Sequence, residues 1–266
     1  MQFRTDFEED YMTTFRKLAA IFALTASATL LAPAASAWGW GTTVTGSGTA
    51  KTENRTVSGF TGLGISLPAK ITIIQGDKEG VTLEGDDNII AVIETEVERG
   101  SLKLRFTERN MNVKTKVPLK ATVYVKTLES IGVAGSGDVT ADQLKSEKFK
   151  ASIAGSGDVH IKHLTADVLK VSIAGSGDMA IGGGKVSSIE ASIAGSGDIR
   201  TSGVEADKVK VSIAGSGDAT VWAKTNLNVS VAGSGDVKYY GNPEVKQSVL
   251  GSGKAKKLGE SPTAAN

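Results

Sequence analysis

The sequence predicts an all-β protein: a parallel β-helix or β-solenoid of about seven coils of 18–20 residues, with an irregular β region on its N-terminal side. Three observations carry this. Gly-Ser-Gly-Asp begins at Gly135, Gly155, Gly175, Gly195, Gly215 and Gly233, and a seventh copy reads Gly251-Ser252-Gly253-Lys254. The residues between copies alternate apolar and polar, which is the period of a strand. Beyond residue 37 no stretch spaces its apolar residues for a helix, so helix content should be negligible.

The copies are spaced 20, 20, 20, 20, 18 and 18 residues apart, the signature of units that each pack only on their neighbours. Within one unit Ala151, Ile153, Gly155, Gly157, Val159 and Ile161 share the inward parity, while Ser152, Ala154, Ser156, Asp158 and His160 share the outward one. The next unit repeats this with Leu169, Val171, Ile173, Gly175, Gly177, Met179 and Ile181, so Lys162 to Val168 must turn the chain back one level higher. With a rung spacing of about 4.8 Å, seven coils make a rod of roughly 35 Å.

Glycine weakens a strand interior and marks a sharp bend or a close backbone approach, so the paired glycines are expected at one corner of every coil. The serines of the motif and Asp138, Asp158, Asp178, Asp198, Asp218 and Asp236 then form vertical columns. The 20-residue spacings break the register of a left-handed hexapeptide helix and favour a right-handed β-helix or β-roll.

Before the repeat, Ile71–Ile74, Val81–Leu83, Leu102–Phe106 and Ala121–Val125 read as short strands punctuated by Gly76, Gly80, Gly85 and Gly100. The expected division is a 56–130 region continuous with the solenoid, a 131–258 repeat, and a 259–266 tail. Residues 38–55 read as a Gly/Thr-rich leader. Lys254, Lys256 and Lys257, followed by Gly259 and Pro262, read as protection of the last open strand edge.

Residues 12–37 have the parts of a secretory signal peptide: Arg16 and Lys17, an apolar run from Leu18 to Leu31, and Ala35-Ser36-Ala37, with cleavage expected after Ala37. The acidic residues before Met12 are the wrong charge for such a leader, which makes Met12 the expected start. The apolar run is too short to cross a bilayer, and no later one is longer, so no membrane span is expected. The chain contains no cysteine, which excludes disulfides, thiolate metal sites and a cysteine nucleophile. Removing residues 1–37 leaves 27 basic and 25 acidic residues, a balance that predicts no nucleic-acid partner.

Phe60-Thr-Gly-Leu-Gly-Ile65, then Val81-Thr-Leu83, then Ser101-Leu-Lys-Leu104, then recurrent Gly-Ser-Gly-Asp resemble the GIN-type head domain of putative autotransporter adhesins across about residues 56–258. The resemblance implies a β-helical exported domain whose biochemical function is not established, with adhesion proposed by the family's name. The residues themselves point to no catalytic residue, cofactor or metal ligand. The membrane barrel of an autotransporter is not found in this sequence.

The aspartate column is the most chemically suggestive feature. Carboxylates stacked at about 4.8 Å repel by about 1 kcal/mol per neighbouring pair in water. A calcium ion would relieve this, but calcium-binding rolls repeat every nine residues with a different Gly/Asp register. The alternative is that each Asp accepts N–H groups at its own glycine corner, as in an Asx-turn. His160 and His163, the only histidines, fall short of a zinc site and read as solvated turn residues. Serine and aspartate recur in every coil whereas histidine occurs in one, which argues against a triad. No Gly-Lys-Ser/Thr follows the glycines, so a phosphate loop is not expected. Trp222, Tyr239 and Tyr240 suit sugar stacking or, more simply, core filling at the C-terminal end.

The leading functional expectation is an exported, non-catalytic module, periplasmic or at the cell surface, that offers a flat Ser/Asp face to a surface polysaccharide, a protein or another copy. A β-helical polysaccharide-active enzyme is the competing class, yet its cleft needs long unequal loops, and these coils differ by at most two residues. A calcium-stabilised β-roll is the third.

Overall fold

The computed structural model describes residues 42–108 and 110–262. The expected signal peptide and cleavage after Ala37 lie outside the described residues. The fold is all-β, with seven corners from Gly135 to Gly251 bounding six full turns of a parallel solenoid.

The repeat consists of β10 (Ser130–Gly135), β11 (Asp138–Lys145), β12 (Lys148–Gly155), β13 (Val159–Thr165), β14 (Val168–Gly175), β15 (Met179–Gly195), β16 (Ile199–Gly215), β17 (Ala219–Gly233), β18 (Val237–Tyr240), β19 (Glu244–Gly251) and β20 (Ala255–Gly259). Pairing is parallel and one motif per rung: Ile153 lies beside Ile173, and Gly155 beside Gly175. The expected inward set Ala151, Ile153, Gly157, Val159 and Ile161 is buried, and Ala154, Ser156 and His160 are exposed. Burying such a column of β-branched side chains stabilises by roughly 1.5–3 kcal/mol per residue, which is why strict alternation survives six turns. Where the spacing drops from 20 to 18, the register shifts between Thr201 and Glu205 and again between Ala206 and Lys208. The lost residues therefore come from the far bend, and Gly215 still meets Gly233.

The N-terminal region comprises β1 (Thr43–Thr45), β2 (Ala50–Arg55), β3 (Gly62–Ser66), β4 (Lys70–Gln75), β5 (Gly80–Asp86), α1 (Asp87–Ile90), β6 (Ile93–Glu98), β7 (Ser101–Phe106), β8 (Asn112–Lys114) and β9 (Lys120–Val125). It continues the same stack, but out of chain order. β3 and β4 form a rung that lies between the β7–β9 rung and the β10–β11 rung. The chain thus makes an inner rung first, builds the β7–β9 rung outside it, and passes back over the first to start the repeat.

Antiparallel strands close this end: β6 on β7, and β5 on β9 with β2 beyond it. The four-residue α1 is the one α-helix among the described residues, and its Ile89 and Ile90 are fully buried over the end of the core. The expected leader is a structured cap: β1 pairs with β8 and β2 with β5. Asp86, fully buried, ties this cap together. Its carboxylate accepts the N–H of Gly48 at 2.7 Å, of Lys116 at 2.9 Å and of Val117 at 3.0 Å. Burial raises the Asp86 pKa, but these three donors outweigh it and hold the carboxyl below its ordinary value of 3.8.

Candidate functional site

The corner geometry explains the motif. The first glycine of each copy has φ between 97° at Gly135 and 136° at Gly233, a left-handed conformation that other residues adopt at a cost. The second is needed for contact: a Cβ on Gly177 would overlap the carbonyl oxygen of Gly157 below it. Ser156 N–H and Gly157 N–H both donate to the Gly135 carbonyl, at 2.8 and 2.9 Å, and the same fork recurs one coil up on Gly155.

The aspartates complete this backbone pattern, with a different partner from the one expected. Asp158 Oδ1 accepts the N–H of Asp178 at 2.8 Å, Asp178 that of Asp198 at 2.9 Å, Asp198 that of Asp218 at 2.8 Å and Asp218 that of Asp236 at 2.8 Å. The acceptor serves the next coil, not its own corner. The reason is that the glycine turn carries the backbone carbonyl away from the ladder, and the carboxylate takes its place. In return Val159 N–H donates to the Asp178 carbonyl at 2.9 Å, so Asp178 is tied to the coil below through both its N–H and its carbonyl. The last carboxylate, Asp236, receives the Lys254 N–H at 2.9 Å.

The outer oxygens are partly occupied too. Arg200 bridges Asp178 at 2.9 Å and Asp198 at 2.7 Å, and Lys238 reaches Asp218 at 3.1 Å. Burial raises the Asp178 pKa, but the Asp198 N–H and the Arg200 guanidinium together bring it below the ordinary value. Among the described residues no three His, Cys, Asp or Glu side chains are grouped to hold a metal ion. His160 and His163 are exposed, but both lie within β13 and not in the expected turn, because the strand runs on to Thr165 before the chain reverses. Tyr239 packs against the core, while Trp222 and Tyr240, register partners on adjacent rungs, are half-buried.

A feature that motif reading missed lies at the N-terminal end of the aspartate column. Crossing successive rungs, the column reads Glu84, Lys120, Lys70, Asp138, and Asp158 follows because Val139 and Val159 are partners. The neighbouring column reads Thr82, Thr122, Thr72, Thr140, His160. All of these side chains except Thr82 line a surface groove of about 450 Å³. No sequence motif marks it, because its lining runs from Lys70 to His160 and joins strands far apart in the chain.

The profile of the family described as "putative auto-transporter adhesin, head GIN domain" matches residues 59–243. The chain belongs to this family. No curated protein matches the sequence. Among solved structures, this GIN head domain is similar to a "putative adhesin" from Bacteroides fragilis NCTC 9343, with 27% identity over 81% of this chain and 100% of that one, at a TM-score of 0.75. It is also similar to a "putative lipid binding protein" from Parabacteroides distasonis ATCC 8503, with 26% identity over 81% and 99% of the two chains, at a TM-score of 0.67. A "putative adhesin" from Parabacteroides merdae ATCC 43184, 21% identical over 82% and 99%, shares the head-domain fold at a TM-score of 0.66. No described helix is long and apolar enough to cross a membrane.

Proposed function

We propose that this head domain is an exported, non-catalytic binding module that presents its outward columns to a polymer of the cell envelope or of a neighbouring surface. The observation that carries the reading is that the repeated carboxylates are engaged by the backbone of the next coil, so the repeat builds a rigid rod while the polar columns on its outer faces face solvent. Family membership and the adhesin descriptions of its neighbours support an adhesin-like role. Export is supported by residues 12–37 of the sequence. An enzyme would need a cleft of unlike loops, and the coils of the repeat depart from one register only by short shifts, after Thr201 and between Tyr239 and Tyr240.

The test is a binding screen of purified residues 38–266 against glycan arrays and envelope fractions, with depolymerisation of bound polysaccharide measured in parallel. Retention without cleavage is the expected result. Cleavage would move the protein to the enzyme class, and no retention on any polymer would reject the reading.

A further inference from the structure

The groove on the outer face of β9, β4, β11 and β13 differs from the middle of the two polar columns. There Arg200 and Lys238 are paired with ladder carboxylates. Lys70 and Lys120 are direct register partners, both exposed, and among the described residues neither has a carboxylate within 4.0 Å. Two ammonium groups held on adjacent rungs repel, and an anionic group placed between them would relieve that repulsion. Carboxylates flank the pair on both sides, Glu84 on one and Asp138 with Asp158 on the other.

That arrangement selects among ligands. A uniformly anionic polymer, nucleic acid included, would meet the flanking carboxylates and be repelled. A small inorganic anion would use the lysines and leave the remaining polar surface idle. The threonine column supplies consecutive hydroxyls about 4.8 Å apart, Thr140 as an acceptor because it donates to the Ile71 carbonyl, and the carboxylates accept from hydroxyl donors. The groove volume is that of a site for a few sugar units.

We propose that this groove binds a heteropolysaccharide in which single acidic sugars alternate with neutral ones, running along the stacking axis. The sugar carboxylate lies between Lys70 and Lys120, and the flanking hydroxyls meet Thr72, Thr140, Asp138 and Asp158. This deepens the polymer-binding reading above and rests on it.

The experiment is calorimetric titration of residues 38–266 with three oligosaccharides of equal length: hyaluronan fragments, in which uronate and N-acetylhexosamine alternate; oligogalacturonate, acidic at every unit; and neutral chito-oligosaccharide. The hyaluronan fragment should bind at least tenfold tighter than either of the others. Lys70→Gln/Lys120→Gln should remove that preference, and Lys70→Arg/Lys120→Arg should retain it. Lys148→Gln/Lys208→Gln makes the same charge change at exposed positions outside the groove and should leave binding unaltered. If the fragments bind and the Lys70/Lys120 double glutamine variant binds them equally well, the assignment of the groove fails while polymer binding stands. Equal binding of all three oligosaccharides overturns the proposed selectivity. If none binds, the proposal fails, and the glycan screen then decides separately whether polymer binding survives.

Discussion

The Oδ1 atom of Asp178 accepts the backbone N–H of Asp198 at 2.9 Å, so a side chain on one coil closes the backbone ladder of the next. Arg200 spans the same two carboxylates. Asp178→Ala removes the acceptor and leaves a donor unsatisfied at the corner, a loss of about 1–2 kcal/mol given the partial exposure of the site. For a domain of this size that lowers Tm by roughly 3–6 °C. Asp178→Asn keeps an acceptor oxygen and should lose less than half as much. Asp142→Ala, whose carboxylate meets only the solvated Lys162, should leave Tm unchanged. Thermal melts of the three variants check this, and equal stability of Asp178→Ala and wild type would show that the ladder bond carries nothing.

The two glycines of a corner are required for different reasons, and substitution separates them from glycines that merely turn the chain. A Cβ on Gly177 meets both the Gly157 carbonyl and the Ile153 side chain, neither of which has room to retreat within the stack. Gly177→Ala should cost at least about 2–3 kcal/mol. At Gly76 an added Cβ meets nothing within 4 Å, and Gly76→Ala should be neutral within about 0.5 kcal/mol. Urea unfolding of both variants gives the comparison, and a neutral Gly177→Ala would mean that the coils can separate locally.

The period of the solenoid, the inward parity of Ile153 and Ile173 and the corner position of Gly155 and Gly157 were legible in the sequence, because strict repetition maps one residue onto one height in the stack. The partner of each aspartate was not. A repeat looks the same whether Asp158 bonds its own corner or the coil above, and only the path of the glycine turn decides. The order of the first rungs was hidden because the β3–β4 rung is threaded between later ones. β2 gave no strand signal because Lys51, Glu53 and Arg55 lie on a closing edge strand that buries neither face. The groove joins Thr72 to Thr140, a neighbour relation that no local pattern encodes.

Asp86 makes the stability of the N-terminal cap depend on pH. Its folded pKa lies below the ordinary 3.8, so in that interval the unfolded chain binds the extra proton. The stabilisation is fully present above 3.8 and is lost as pH falls through the folded value. Asp86→Asn cannot ionise and has a single acceptor oxygen for the three N–H donors of Gly48, Lys116 and Val117. It should lower Tm at pH 7 by roughly 5 °C and flatten the acid limb of the Tm–pH curve. Scanning calorimetry from pH 7 to pH 2 reads both effects, and parallel acid limbs for the two proteins would remove Asp86 from the pH dependence.

At the opposite end the last described strands are β19 and β20. Among the described residues they pair only with the coil beneath them, and Leu250, with 78% of its surface exposed, ends an outward column that is alanine on every coil from Ala134 to Ala232. An open edge with an exposed leucine invites pairing with another chain, and charge on the edge opposes it. Lys254, Lys256 and Lys257 sit on or beside β20 and supply that charge. Replacing all three by valine should convert a species whose mass is independent of concentration into one that associates as concentration rises. Light scattering behind size-exclusion chromatography measures this. Identical masses for wild type and the triple variant across the concentration range would show that the lysines do not guard the edge.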